Sequence, residues 1–277
     1  MTIEFLKMHG AANDFVVIDH RGPGLPEPPG ALVARLCDRR RGIGADGVLL
    51  LERDSELDFA MRYFNADGGR AEFCGNGARC LARLALDLGL GQNGEVRFRT
   101  DAGPQRARRA PDGRGIELHF GRVERGVRRA IEAAGRRFDG LLVKPGVPHY
   151  VVSVERVEWV PLAEWGSALR HAEALAPGGA NVDFVARLEP GRVAMRTYER
   201  GVEAETLACG SGAIASALWA AEQGDSSPVR ILTAGGDELI VSWRAVDGAH
   251  DVTLTGPAEI AYRGTWNEPA AVAAARA

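Results

Sequence analysis

The sequence predicts an α+β fold of two pseudo-symmetric domains from an internal duplication, each a mostly antiparallel or mixed β-sheet wrapped around a central helix. Three observations carry this. Residues 61–82, MRYFNADGGRAEFCGNGARCLA, are answered by residues 195–216, MRTYERGVEAETLACGSGAIAS, each passing an aromatic residue and a glycine-bearing acidic loop into a Cys-Gly-x-Gly-Ala turn. The two copies stand about half the chain apart, so the repeated unit is a domain and not a short solenoid element. Elsewhere short β-rich runs alternate with Gly- and Pro-bearing turns, and long helical periods are few.

In the first half, Ile3 to Met8 alternates as a strand, HGAAND is a tight polar turn, and Phe15 to Asp19 is a second strand. Residues 21–30 are rich in Pro and Gly and read as a surface loop. A short helix from Leu32 to Arg39 leads into the glycine-rich turn RGIGADG, then into strands at Val48 to Leu51 and Asp58 to Phe64. Residues 76–88 are apolar on nearly every face, which predicts a helix buried on most sides. The second half restarts near Ile116. PHYVVSVE reads as a strand, and PLAEWGSALRHAEAL as an amphipathic helix with Pro161 near its first turn. NVDFVAR and RVAMRTY are strands, residues 211–222 form the second core helix, and strands follow at 229–233, 238–244, 250–255 and 257–263. The Ala-rich tail from about Asn267 reads as a frayed appendage.

Composition narrows the function. At 277 residues the chain accommodates two ordinary domains, and 45% hydrophobic with 26% charged residues is a soluble globular balance. The net charge is −3, with the charges dispersed, which predicts no nucleic-acid or membrane partner. No apolar stretch approaches the length of a bilayer span. The N-terminus has no basic region leading into an apolar core, so no signal peptide is expected and the default location is the cytoplasm, where thiols stay reduced. The four cysteines, Cys37, Cys74, Cys80 and Cys209, make no C-x-x-C pair, and no metal site is expected. Only Lys7 and Lys144 could supply a Schiff base, and neither lies in a phosphate-cradling context, so no cofactor is expected.

The repeated turns carry the chemistry. Each of Cys74 and Cys209 follows a strand and opens a helix, where orphan amides and the helix dipole favour negative charge and predict a lowered thiol pKa. The amides of Gly75 and Asn76, and of Gly210 and Ser211, suit a substrate carboxylate. Two such ends serving one ligand would flank its α-carbon with two sulfurs, as a reaction requires that removes a proton from one face and returns it to the other. Cys37 and Cys80 read as small buried hydrophobes, Cys80 having Ala215 at its duplicate position.

These motifs resemble the cofactor-independent diaminopimelate epimerases nearly end to end: KMHGAANDF at 7–15, RGIGADG at 41–47, FNADGGRAEFCGNGARC at 64–80, PHYV at 148–151, NVDF at 181–184 and YERGVEAETLACGSGA at 198–213. The resemblance implies an active site in the cleft between two lobes, residues 1–113 with a returning C-terminal segment 262–277, and residues 114–261. It implies interconversion of LL- and meso-2,6-diaminoheptanedioate, with Cys74 and Cys209 as the acid/base pair. Asn13, Asn65, Asn181 and Arg200 are then contacts to the distal amino-carboxylate end, and Glu199 and His149 line the reacting centre. Arg200 suits a carboxylate, and the Asn amides suit a zwitterion. The resemblance also implies a homodimer. The sequence departs from the pattern at Ala12, usually glycine, at Val147, where many members carry Asn, and at Gly47, where some carry Gln.

Two other readings stay open. One keeps the two-cysteine chemistry on another amino acid, as in proline-type racemases, whose first turn resembles CGHG where this chain has CGNG. The other is a non-catalytic amino-acid-binding protein in which the duplication serves symmetry alone.

Overall fold

The computed structural model describes residues 1–22, 25, 30–113 and 115–267, and falls into two compact units. Most of the Pro/Gly-rich stretch 21–30 and the tail beyond Asn267 lie outside the described residues. One unit comprises Met1–Ile116 and the chain from Pro257 on, and the other comprises Glu117–Gly256. No helix among the described residues is long and apolar enough to cross a membrane.

The first unit begins with β1 (Thr2–Gly10) and β2 (Asn13–Asp19), antiparallel across a two-residue turn. Helix α1 (Gly30–Cys37) precedes β3 (Gly47–Glu52), which runs parallel to β2. Next come β4 (Phe59–Asn65), the two-residue β5 (Arg70–Ala71), helix α2 (Gly75–Asp87), β6 (Glu95–Thr100) and β7 (Gly103–Arg109). Strand β4 is antiparallel to β3 and β5 and parallel to β6. The strand Glu259–Asn267 lies antiparallel to β1, pairing from Thr2↔Asn267 to His9↔Glu259. Strand β3 is buried along nearly its whole length because both its faces are covered. Val48 and Leu50 pack with Leu32, Val33 and Leu36 of α1, and Leu49 lies against Gly77 of α2.

The second unit repeats that pairing scheme. Its elements are β8 (Ile116–Val123), β9 (Val127–Ala133), β10 (Arg136–Val143), β11 (His149–Ser153), α3 (Leu162–Arg170), β12 (Asn181–Glu189) and β13 (Arg192–Glu199). They continue with β14 (Ala204–Thr206), α4 (Gly210–Glu222), β15 (Val229–Leu232), β16 (Glu238–Val246) and β17 (Ala249–Gly256), after which the chain enters β18, the Glu259–Asn267 strand. As β2 is parallel to β3, β11 is parallel to β12. As β4 is antiparallel to β3 and β5 and parallel to β6, so β13 stands to β12, β14 and β15. Strand β9 beside β10 takes the place that β18 takes beside β1. Helices α2 and α4 are both 13 residues long, and every residue from Gly212 to Ala220 of α4 is buried. The α+β duplication read from the sequence is therefore present strand by strand.

Three local features differ from the pattern reading. Helix α1 stops at Cys37, short of Arg39, because the Asp38 carboxylate accepts hydrogen bonds from the Arg40 and Arg41 amides at 2.8 and 2.9 Å and turns the chain. Helix α3 ends at Arg170, and only a 3₁₀ turn at Glu173–Leu175 follows, since Pro177 ahead cannot continue a helix. The hairpins β6–β7 and β9–β10 occupy arginine-rich stretches. Strand β9 returns as β10 through Ala134 and Gly135, both at positive φ, the backbone of a tight hairpin turn.

Candidate active site

In the first unit, Cys74 is the N-cap of α2, with extended φ −142 and ψ 117, and its carbonyl accepts from Ala78 N at 2.8 Å. Gly75 and Asn76 therefore form the first helical turn, whose amides have no partner within the helix. Asn13 stands beside the sulfur. Its Oδ1 accepts from Asn76 Nδ2 at 3.2 Å and lies 3.7 Å from Cys74 Sγ, while its Nδ2 donates to Asp46 Oδ2 at 2.7 Å. Asp46 is held by Arg39 Nη2 at 2.7 Å, and Arg39 also holds Asp14, which Lys7 approaches at 2.6 Å. Burial works to raise the Asp14 pKa, but hydrogen bonds from Arg39 and Lys7 outweigh it and hold the carboxyl well below the usual range. This charged lattice fixes the end of β2 and hence Asn13. Asn65, at the exposed end of β4, accepts a hydrogen bond from the Tyr63 hydroxyl at 2.8 Å.

In the second unit, Cys209 is the N-cap of α4, with φ −124 and ψ 112. Its sulfur accepts from Gly212 N at 3.4 Å, the hydrogen bond a Ser or Asp cap would accept, and lies 3.5 Å from Ser211 Oγ. Ser211 Oγ in turn lies 2.8 Å from His149 Nε2, and His149 Nδ1 lies 2.6 Å from Asp183 Oδ2. Both His149 and Asp183 are fully buried. Asp183 Oδ1 accepts from Thr197 Oγ1 at 2.7 Å. With Nδ1–H given to Asp183, Nε2 is the acceptor that Ser211 and the Asn181 amide, at 3.0 Å, both approach. Asn181 Oδ1 accepts from Arg200 N at 2.7 Å, so this side chain closes the start of β12 as well as touching His149. The Arg200 guanidinium makes no hydrogen bond or ion pair among the described residues. Gly212 has no room for a side chain, as a Cβ there would stand 2.6 Å from Asp183 Oδ1.

The thiol pKa expected from the helix end is not what Cys209 shows. Burial pushes it well above its ordinary value, the nearby carboxylates of Glu199 and Asp183 add to that, and the hydrogen bonds from Ser211 and Gly212 recover only part. Glu199 is itself raised by burial, against the hydrogen bond it accepts from Thr206 Oγ1 at 2.7 Å. Cys37 and Cys80 are pushed by burial to about 11 and about 12, so they remain thiols. Among the described residues, no group of three or more His, Cys, Asp or Glu is placed to hold a metal ion.

Thus Asn13, Cys74, Gly75 and Asn76 form one cluster, with Asn65 at the end of β4, across β3 from the strand of Asn13, and His149, Asn181, Cys209, Gly210 and Ser211 form another, with Glu199 ending β13 and Arg200 just beyond it. The motif reading passed over Asp183, Tyr63 and Asp46. Asp183 did leave a signal. It is a carboxylate two residues past Asn181 in the otherwise apolar strand NVDFVA, on the same face, and a buried charge of that kind needs a partner.

Solved structures share this duplicated architecture. A phenazine biosynthesis protein of the PhzF family from Bacillus anthracis superposes with a TM-score of 0.74 at 12% identity, covering 97% of this chain and 100% of that one. A hydroxyproline epimerase from Agrobacterium vitis, with bound trans-4-hydroxy-L-proline, gives 0.69 at 21%, covering 95% and 92%. At those identities the likeness is one of fold alone, a fold of two duplicated units. The sequence narrows it further. The family model described as diaminopimelate epimerase matches the chain twice, over residues 5–125 and 141–261. The diaminopimelate epimerase of Aquifex aeolicus is 37% identical over 96% of this chain and 98% of its own length, and that of Chlorobaculum tepidum 38% over 93% and 99%. The chain belongs to the diaminopimelate epimerase family.

Proposed function

We propose that this protein is a cofactor-independent diaminopimelate epimerase, interconverting LL- and meso-2,6-diaminoheptanedioate by proton transfer between the α-carbon and two thiols. The observation that carries the reading is the duplicated placement of Cys74 and Cys209, each capping a buried 13-residue helix at the same point of a repeated strand order, in a chain of this family. The helix-end amides beside each thiol bind the α-carboxylate, onto which charge spreads as the proton leaves. Arg200, its guanidinium without a hydrogen bond or ion pair among the described residues, takes the distal carboxylate in a bidentate pair, with Asn13 and Asn65 as amide partners.

The resting Cys209 is a thiol, so it is the acid for the diastereomer whose proton faces Cys74. To act as base for the other diastereomer it must first lose its proton. The chain Cys209–Ser211–His149 offers the route: Ser211 Oγ passes its proton to Nε2 as it receives the one from sulfur, leaving thiolate and imidazolium. The Asp183 carboxylate, as fully buried as His149, neutralises that imidazolium. Lys7 is committed to Asp14 and the Gly44 carbonyl, which suits a reaction run on the protein's own thiols. We assign the enzyme to the cytoplasm, as a homodimer, in keeping with the reduced cysteines this chemistry requires.

The test is deuterium wash-in. Purified enzyme in D₂O without added cofactor exchanges the α-proton of diaminopimelate and shifts LL toward meso. Exchange confined to another amino acid, such as histidine or proline, would replace the substrate, and tight binding with no exchange would remove the enzymatic reading.

A further inference from the structure

Strand β4 places Met61, Tyr63 and Asn65 on one face, and the pairing with β3 sets Leu49 opposite Tyr63 and Gly47 opposite Asn65. Gly47 is not a turn residue, since it lies within the ladder between Phe15 of β2 and Asn65 of β4. What it lacks is room. A Cβ there would stand 2.5 Å from the Phe64 carbonyl oxygen, 2.8 Å from Tyr63 Cε2 and 3.5 Å from the Tyr63 hydroxyl. The tyrosine ring therefore lies diagonally over Gly47, braced edge-on by Phe15 with ring centroids 6.1 Å apart, and its hydroxyl reaches Asn65 Oδ1 at 2.8 Å.

A donor held on the amide oxygen fixes which way the carboxamide faces, with the oxygen toward Tyr63 and the NH₂ turned to the opposite side. We propose that Tyr63 is a specificity-determining positioning residue: crossing over the side-chain-free Gly47, it locks the Asn65 carboxamide with its NH₂ presented as donor to the distal carboxylate of the substrate. Gly47 and Tyr63 act as a pair, since any side chain at 47 would evict the ring. This rests on the reading of a substrate with an amino-acid group at its far end.

The experiment compares wild type, Tyr63→Phe, Asn65→Ala and the double variant. Wild-type exchange over several amino acids identifies the substrate, and the KM ratios are taken on that substrate, so a failure of the substrate reading and a failure of the Tyr63 assignment show up in different columns. Tyr63→Phe keeps the ring over Gly47 and loses only the lock. Its KM rises about tenfold while kcat falls by no more than twofold, the size of effect for one hydrogen bond that orients a contact to a charged group. In the Asn65→Ala background the same change adds nothing, because the two side chains act as one unit. An unchanged KM in Tyr63→Phe, equal losses in KM and kcat, or full additivity in the double variant would overturn the assignment.

Discussion

Replacing Asp183 by Asn probes the buried half of the proton route with almost no change of shape. Asp183 accepts two hydrogen bonds, from His149 Nδ1 and Thr197 Oγ1, and in the proposed proton route it is the countercharge for an imidazolium at His149. An asparagine offers one oxygen, so one of the two donors faces an NH₂ group, at a cost of about 1–3 kcal/mol in stability. Loss of the charge matters more to the reaction. A unit pair at about 4 Å contributes about 4 kcal/mol at an effective dielectric of about 20, which corresponds to roughly a thousandfold in rate. Initial rates in both directions, with melting followed alongside, should show kcat/KM down by about 10²–10³ for LL and for meso alike, since the equilibrium constant fixes their ratio. Thr197→Val supplies the control. It removes the other hydrogen bond, so it should lose comparable stability and less than about threefold in kcat/KM, the size of a purely structural effect. If the Asn variant keeps activity within threefold of wild type, or the Val variant loses as much as the Asn variant, the His149–Asp183 pair has no part in moving the proton.

Two further outcomes follow from local geometry. Ala11 and Ala12 form the turn before Asn13 with φ of 57 and 62. Left-handed backbone costs an alanine about 1–2 kcal/mol, partly offset by the entropy glycine restores to the unfolded chain, so Ala12→Gly should stabilise by roughly 0.5–1 kcal/mol in urea titration; a loss of stability would mean the turn is not strained. The thiols give a pH dependence. Cys37 and Cys80 titrate at about 11 and about 12 when folded, above an unfolded value near 8.5, so their contribution is complete below about pH 8.5. Between there and the folded values each removes about 1.4 kcal/mol of stability per pH unit, and Cys80→Ala should flatten the slope by that amount.

The sequence disclosed the duplication, the two thiols and the helix ends because repeated glycine turns are local and specific. The expected lowering of the Cys209 pKa failed for a reason no local string records: the same burial that makes α4 a core helix, together with Glu199 and Asp183 brought in by β12 and β13, outweighs the helix terminus. The hairpins β6–β7 and β9–β10 went unread because their inward residues, among them Val96, Phe98, Ile131 and Phe138, are diluted by arginines on the exposed face. The hold of Tyr63 on Asn65 depends on strand register with Gly47, which composition cannot supply.

The division of labour between the thiols is tested most directly by following solvent deuterium into each diastereomer with Cys74→Ala and Cys209→Ala. Each variant should lose epimerisation while its surviving thiol still exchanges one diastereomer with retention, LL for one variant and meso for the other. Exchange of the same diastereomer by both variants, or continued inversion by either, would contradict a reaction in which each repeat contributes the base for one face of the carbon.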